Sequence, residues 1–170
     1  MTVNIETIEI LWEGPLDIED IKRLNSESDY GLYQIYGSHA IYGQNTLLYI
    51  GKAQEDKFCV RIPAHSNWTD KEYGKLQYYV GRIGCSSKNK HEVQKPKWGV
   101  LIDSAERLLI YFTAPSYNST GLNKYGELKN IVVFNFGKKM LLPNEISTAY
   151  YQAEIWDDKN KWQIFNDENK

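Results

Sequence analysis

Between residues 31 and 65 the chain carries two tyrosines, a lysine, an arginine and a histidine: Tyr33, Tyr49, Lys52, Arg61 and His65. Each tyrosine stands beside a glycine, in Gly31-Leu32-Tyr33 and in Tyr49-Ile50-Gly51, and Arg61 and His65 are four residues apart. Groups of this kind hold phosphate oxygens and move protons. Hydrolysis of a phosphodiester needs an activated water, a cationic field for the phosphoryl oxygens and help for the leaving oxygen. A free tyrosine, with a pKa of about 10, is a poor base at neutral pH unless cations lower that value. Lys52 and Arg61 can supply such a field, and Arg61 can also hold a phosphate oxygen with its planar fork. His65 can orient or shuttle a proton. Further along, Glu106 offers one carboxylate. That suits a single Mg2+ (or Mn2+) per active site, which keeps several waters and takes substrate oxygens as further ligands.

The elements that must position these groups are legible in outline. Two aromatic, β-branched runs, Gly31–Tyr36 and Thr46–Ile50, predict a β-hairpin with a long connection that contains Gly37–Gln44. Residues 56–67 predict a helix that puts Arg61 and His65 on one face, with Pro63 either kinking it or opening a second helix. Leu76–Ile83 predicts a third strand, followed by a polar loop over Gly84–Pro96. Ser86–Lys97, which begins within that loop, and Gly37–Gln44 are candidate recognition segments. In Trp98–Phe112, Leu101, Ala105, Leu108, Leu109 and Phe112 make an apolar helical stripe with Glu106 beside it. Pro115 ends that helix, and the turn after it brings Asn118 back towards it. Before the hairpin, Val3–Trp12 alternates as a strand, Gly14-Pro15 breaks it, and Asp17 caps a short helix. Towards the end, Ile131–Phe136 predicts a strand and Glu145 begins a short helix, followed by a polar tail with Trp156 and Trp162 as anchors.

The totals bound the rest. With 170 residues, 42% hydrophobic and 25% charged, the chain suits one domain with its own core. No apolar run reaches the roughly 20 residues of a membrane span, and no export signal opens the chain. Cys59 and Cys85 form no metal-ligand spacing, which suits free thiols in the cytoplasm. The net charge of −2 argues against a strong polyanion partner on average. Its distribution is uneven, however: residues 1–30 carry eight acidic against two basic side chains, and residues 52–99 carry ten basic against five acidic. A basic middle can still present a positive face to phosphate.

Taken together, Gly31-Leu32-Tyr33, Tyr49-Ile50-Gly51-Lys52, Arg61-x3-His65, Glu106 and Asn118 resemble the signature set of the GIY-YIG endonucleases. The resemblance covers residues 31–118, about half of the chain. Leu32 stands where isoleucine is commoner, and the fifteen residues between Tyr33 and Tyr49 exceed the family's usual spacing, which an enlarged hairpin loop would absorb. The resemblance implies an α+β fold, a small three-stranded antiparallel sheet flanked by helices. Residues 1–30 would then be an N-terminal extension and 119–170 a C-terminal addition to one domain. It further implies a Mg2+-dependent DNA endonuclease with Tyr33, Tyr49, Lys52, Arg61, His65 and Glu106 as catalytic residues, Glu106 on the metal, and Gly31, Gly51 and Asn118 in support. Tyr33 is favoured over Tyr49 to take the proton from water. Without a separate DNA-binding module, a restriction enzyme is the first expectation, as a homodimer with a companion methyltransferase. A repair or mobile-element nuclease, or a non-cleaving nucleic-acid-binding protein, is the alternative.

Overall fold

A computed structural model of the protein describes residues 5–84 and 95–148. Six strands form one mixed sheet: β1 (Glu6–Leu16), β2 (Gly31–His39), β3 (Gly43–Ala53), β4 (Gln77–Gly84), β5 (Ile131–Gly137) and β6 (Glu145–Ser147). Their order across the sheet is β3-β2-β4-β1-β5-β6. Neighbours are antiparallel except β1 and β5, which run parallel. This corrects the expected small three-stranded antiparallel sheet flanked by helices. β3, β2 and β4 do lie side by side, but they are one half of a larger sheet. Local alternation marks a stretch as a strand and says nothing about how many partners it will find.

The N-terminal strand is therefore no extension packed on a finished core. β1 pairs with β4 along one edge and with β5 along the other, which places it inside the sheet. It runs on through Gly14-Pro15 to Leu16, where Leu16 pairs with Tyr78 after a register shift. Asp17 then caps α1 (Ile18–Arg23), accepting from the Asp20 N–H at 2.9 Å while the Asp20 carboxylate accepts from the Asp17 N–H. Ile146 of β6 pairs with Val133 of β5, so Glu145 opens a short edge strand and not a helix. A free sheet edge competes with local helix signals, and here the edge wins.

Two further corrections concern the site's surroundings. β2 and β3 extend to His39 and Gly43, leaving only residues 40–42 as a connection. The wide spacing of the two tyrosines is thus absorbed by longer strands and not by a long loop. Residues 56–67 form no single helix: α2 (Phe58–Arg61) gives way to a 3₁₀ turn at Pro63–His65 and then to α3 (Ser66–Thr69). Pro63 opens the 3₁₀ turn, where a missing N–H costs nothing. Cys85, part of the Ser86–Lys97 stretch and the Trp156 and Trp162 tail lie outside the described residues.

Apolar side chains fill both sides of the sheet. On one side α4 (Lys95–Thr113) lays Ile102, Ala105, Leu108 and Leu109 onto Ile8, Ile10, Trp12, Leu32 and Ile50. On the other side Ile21, Phe58 and Ile62 pack on Tyr33, Ile35, Tyr78 and Val80. At the centre the Trp12 indole donates to Asn135 Oδ1 at 2.9 Å, joining β1 to β5. No helix among the described residues is long and apolar enough to cross a membrane.

Candidate active site

The period-two alternation of a strand divides the candidate residues between the two sides of the sheet. Tyr33 on β2 belongs to the cluster that α1 and α2 cover, and Tyr49 on β3 packs against that cluster. Ile50 turns to the opposite side, and Lys52, two residues on, meets α4 there. β3 is an edge strand, so the two groups come together around its outer margin. A cleft of about 250 Å³ at that margin is lined by Lys52 and Arg61 with Gln54, Glu55 and Asp56.

Gly51 sits at the crossing point. It pairs directly with Tyr33, whose ring lies across it. A Cβ on Gly51 would stand 2.4 Å from the Tyr33 hydroxyl oxygen and 2.8 Å from the Tyr49 ring. Only hydrogen fits there. Gly31 is constrained differently: its φ is +142°, and a Cβ would meet the Gly81 carbonyl oxygen at 2.2 Å.

On the α2 side, Tyr33 Oη and His65 Nε2 are 2.7 Å apart. The Tyr49 ring lies 6.1 Å from Tyr33 in a stacked arrangement and 4.8 Å from His65. Tyr33 has no exposed surface, whereas Tyr49 and His65 are half-buried and Arg61 is exposed. Burial pushes the Tyr33 hydroxyl well above its ordinary range, with Tyr49 adding to the effect and Arg61 opposing it. Burial also raises Tyr49, helped by the Glu106 charge and opposed by Arg61. His65 is pushed down, by burial and then by the Arg61 cation. A neutral imidazole results, able to accept from the Tyr33 hydroxyl at a bare Nε2.

On the α4 side, the Lys52 ammonium is held by the Asp103 carboxylate and by Glu106 Oε2 at 3.1 Å. Arg107 Nη2 reaches Asp103 Oδ2 at 2.8 Å. Burial would lower Lys52, but the two carboxylates outweigh it and hold its pKa above the ordinary value. Burial raises Glu106 despite the opposing Lys52 cation, with Asp103 adding to the rise. Asp103 escaped the sequence reading, although it stands one helical turn before Glu106 on the same stripe edge. That i, i+3 spacing was the available signal.

Asn118 acts on backbone. Its side-chain oxygen accepts from the Ile50 N–H at 3.0 Å and its amide donates to the Ile50 carbonyl at 2.9 Å. Tyr117 N–H donates to the Leu48 carbonyl at 2.8 Å, so residues 117–118 cover part of the outer edge of β3. The strand that carries Tyr49, Gly51 and Lys52 is thereby tied down from outside.

A hard divalent cation would look for oxygen donors here. Among the described residues no group of three or more His, Cys, Asp or Glu side chains forms a metal cage. A Mg2+ that keeps its waters needs no such cage. Glu106 and Asp103 already converge on one positive charge, the Lys52 ammonium. The donor set fits.

Comparison with protein-family models, with curated proteins and with solved structures found no match. The likeness to the GIY-YIG endonucleases rests on the motif residues alone.

Proposed function

We propose that the protein is a Mg2+-dependent endonuclease that hydrolyses DNA phosphodiester bonds, with a site resembling that of the GIY-YIG enzymes. The observation that carries the reading is convergence. Arg61 from one side of β3 and Lys52 from the other line one open cleft, with Tyr33, Tyr49 and His65 in mutual contact on the first side and Glu106 paired to Lys52 on the second. Separate elements supply these groups, and ordinary core packing does not require that they meet.

In this reading Arg61 and Lys52 hold the phosphate in the cleft. Tyr49, half-buried, contacts the phosphate or the water from the open side. A buried Tyr33 cannot stand as a phenolate at neutral pH, so it works as a relay. It takes the proton of the attacking water as it passes its own to His65 Nε2, and no free phenolate forms. Tyr33 is sealed against Gly51 and Tyr49, so that water reaches it when the half-buried Tyr49 ring swings aside. Glu106, with Asp103 beside it, would hold Mg2+, which stabilises the leaving oxygen when bound. Lys52 then moves from the carboxylates to the phosphate. Substrate selection of the restriction type, in a cytoplasmic homodimer acting beside a companion methyltransferase, is the form of the proposal to test first.

The test is cleavage of plasmid and phage DNA with Mg2+, wild type against Glu106→Ala. Discrete fragments from the wild type, slowed at least about 100-fold in the variant, support the restriction reading. Smears or nicks that still require Glu106 point to a repair or mobile-element nuclease. No cleavage of plasmid, phage or branched DNA by the wild type overturns the endonuclease reading. A non-cleaving nucleic-acid-binding protein is then favoured, as the sealed Tyr33 and the doubly paired Lys52 also permit. That protein would bind DNA with an affinity that falls as salt rises.

A further inference from the structure

We infer that a nucleobase of the substrate binds in a hollow next to the phosphate cleft, walled by Tyr30 and Trp98 and read by Gln54. The inference rests on the endonuclease reading, which makes the occupant of the Lys52–Arg61 cleft a phosphate. The hollow measures about 580 Å³ and shares Gln54 and Glu55 with that cleft. A volume of roughly 300–1,000 Å³ is what small organic ligands occupy. One ligand spanning both spaces would present a phosphate on one side of Gln54 and a flat ring on the other. A nucleotide has that shape.

The walls suit a base. Tyr30 and Trp98 meet edge to face, with ring centroids 6.0 Å apart and planes at 70°. Both side chains are half-buried, so each keeps surface open to the hollow. Aromatic surface of this kind stacks any base. Gln54 lies along the start of α4 because Gly99 has no side chain: a Cβ there would stand 2.6 Å from Gln54 Nε2. The exposed amide offers a donor and an acceptor together, which is what a base edge pairs with.

Charge argues against a second phosphate in the hollow. Glu27 and Glu55 both line it, and both would repel one. Their oxygens can instead accept from an exocyclic amino group, as adenine and cytosine carry. Among the described residues the one basic side chain that lines it, Lys57, gives its ammonium to Asn25, donating to the backbone carbonyl at 2.8 Å and to Oδ1 at 3.1 Å.

Titration calorimetry with deoxyadenosine monophosphate, deoxycytidine monophosphate and deoxyribose 5-phosphate tests the pocket directly. The two nucleotides should bind about 5- to 100-fold more tightly than the sugar phosphate, the advantage that stacking one base supplies. Trp98→Ala should remove most of that advantage and leave sugar-phosphate affinity unchanged. Gln54→Ala, an exposed change that the fold tolerates, should lower it several-fold in the same selective way. Equal affinity for nucleotide and sugar phosphate, no measurable nucleotide binding, or equal losses for both ligands in the two variants would overturn the pocket. The two readings fail separately. Base-dependent binding without DNA cleavage leaves the pocket and removes the nuclease, and cleavage without a base advantage does the reverse.

Discussion

At the scale of single residues, the proposed relay requires His65 to stay neutral and Gly51 to stay small. Burial first and Arg61 second hold the His65 pKa below its ordinary 6.5. If the neutral imidazole accepts the Tyr33 proton, kcat/KM falls as pH drops through that lowered value. Arg61→Ala removes the cation and moves this acidic limb to higher pH, towards the ordinary value but short of it because burial remains. His65→Gln abolishes the limb. A pH–rate profile of the three proteins decides the matter, and a limb that ignores both changes removes His65 from the relay. The stability sign is the same: the unfolded imidazole binds its proton first, so His65 costs stability as pH falls below about 6.5. Gly51→Ala is the second prediction. The new methyl drives the Tyr33 phenol away, at a cost of about 1–3 kcal/mol in overpacking. Displacing a proton-transfer group by about 1 Å should cost on the order of 100-fold in rate. Thermal unfolding beside the cleavage rate separates the two effects, since a fold that survives with its activity lost is the expected outcome.

At the scale of elements, β3 is an edge strand made rigid from outside. One side chain, Asn118, serves both backbone groups of Ile50. Asn118→Ala leaves a buried N–H and a buried carbonyl without their partners, each worth about 1–3 kcal/mol when unsatisfied. We expect a destabilisation of at least about 2 kcal/mol by urea unfolding. Asn118→Asp keeps the acceptor for the N–H and should fall between. Loss of activity in Asn118→Ala without loss of stability would contradict the strand-holding role and point to contact with substrate. The sequence offered Asn118 as a turn residue after Pro115 and, through the resemblance, as support. Its actual partner lies 68 residues earlier in the chain, which no local pattern reveals.

At the scale of the whole molecule, the segment 31–118 that carries the proposed site is not a unit by itself. β1 lies between β4 and β5, and its Ile8, Ile10 and Trp12 share the core with α4. A fragment of residues 31–118 would expose the free edge of β4 and the α4 surface that β1 and β5 cover. That fragment should show no cooperative unfolding transition, whereas the full chain should unfold in one. Circular dichroism against urea checks this. A fragment that folds and cleaves DNA would restore the extension reading of the ends. Arg82 joins the halves further, pairing with Glu13 before the capped helix and with Asp29 after it, each at 2.6 Å.

The sequence by itself determined five of the six strands in outline, the amphipathic helix, the capped α1 and the residue types on which the proposed site draws. Those features are written in side-chain periods and in residue types, which act over a few neighbours. Tertiary structure decided how many strands share the sheet, that Glu145–Ser147 is a strand, and that Pro63 divides the segment carrying Arg61 and His65. It also decided that Tyr33 is sealed while Tyr49 is open, and that Asp103 joins Glu106 on Lys52. Each of these turns on which distant segment takes a free edge or covers a face. The winner is the arrangement that pairs backbone groups and buries apolar surface across the whole chain. The alternation along β3 assigns Tyr49 and Lys52 to opposite sides of any sheet, but only the position of β3 at the margin lets Arg61, from the Tyr49 side, share one cleft with Lys52.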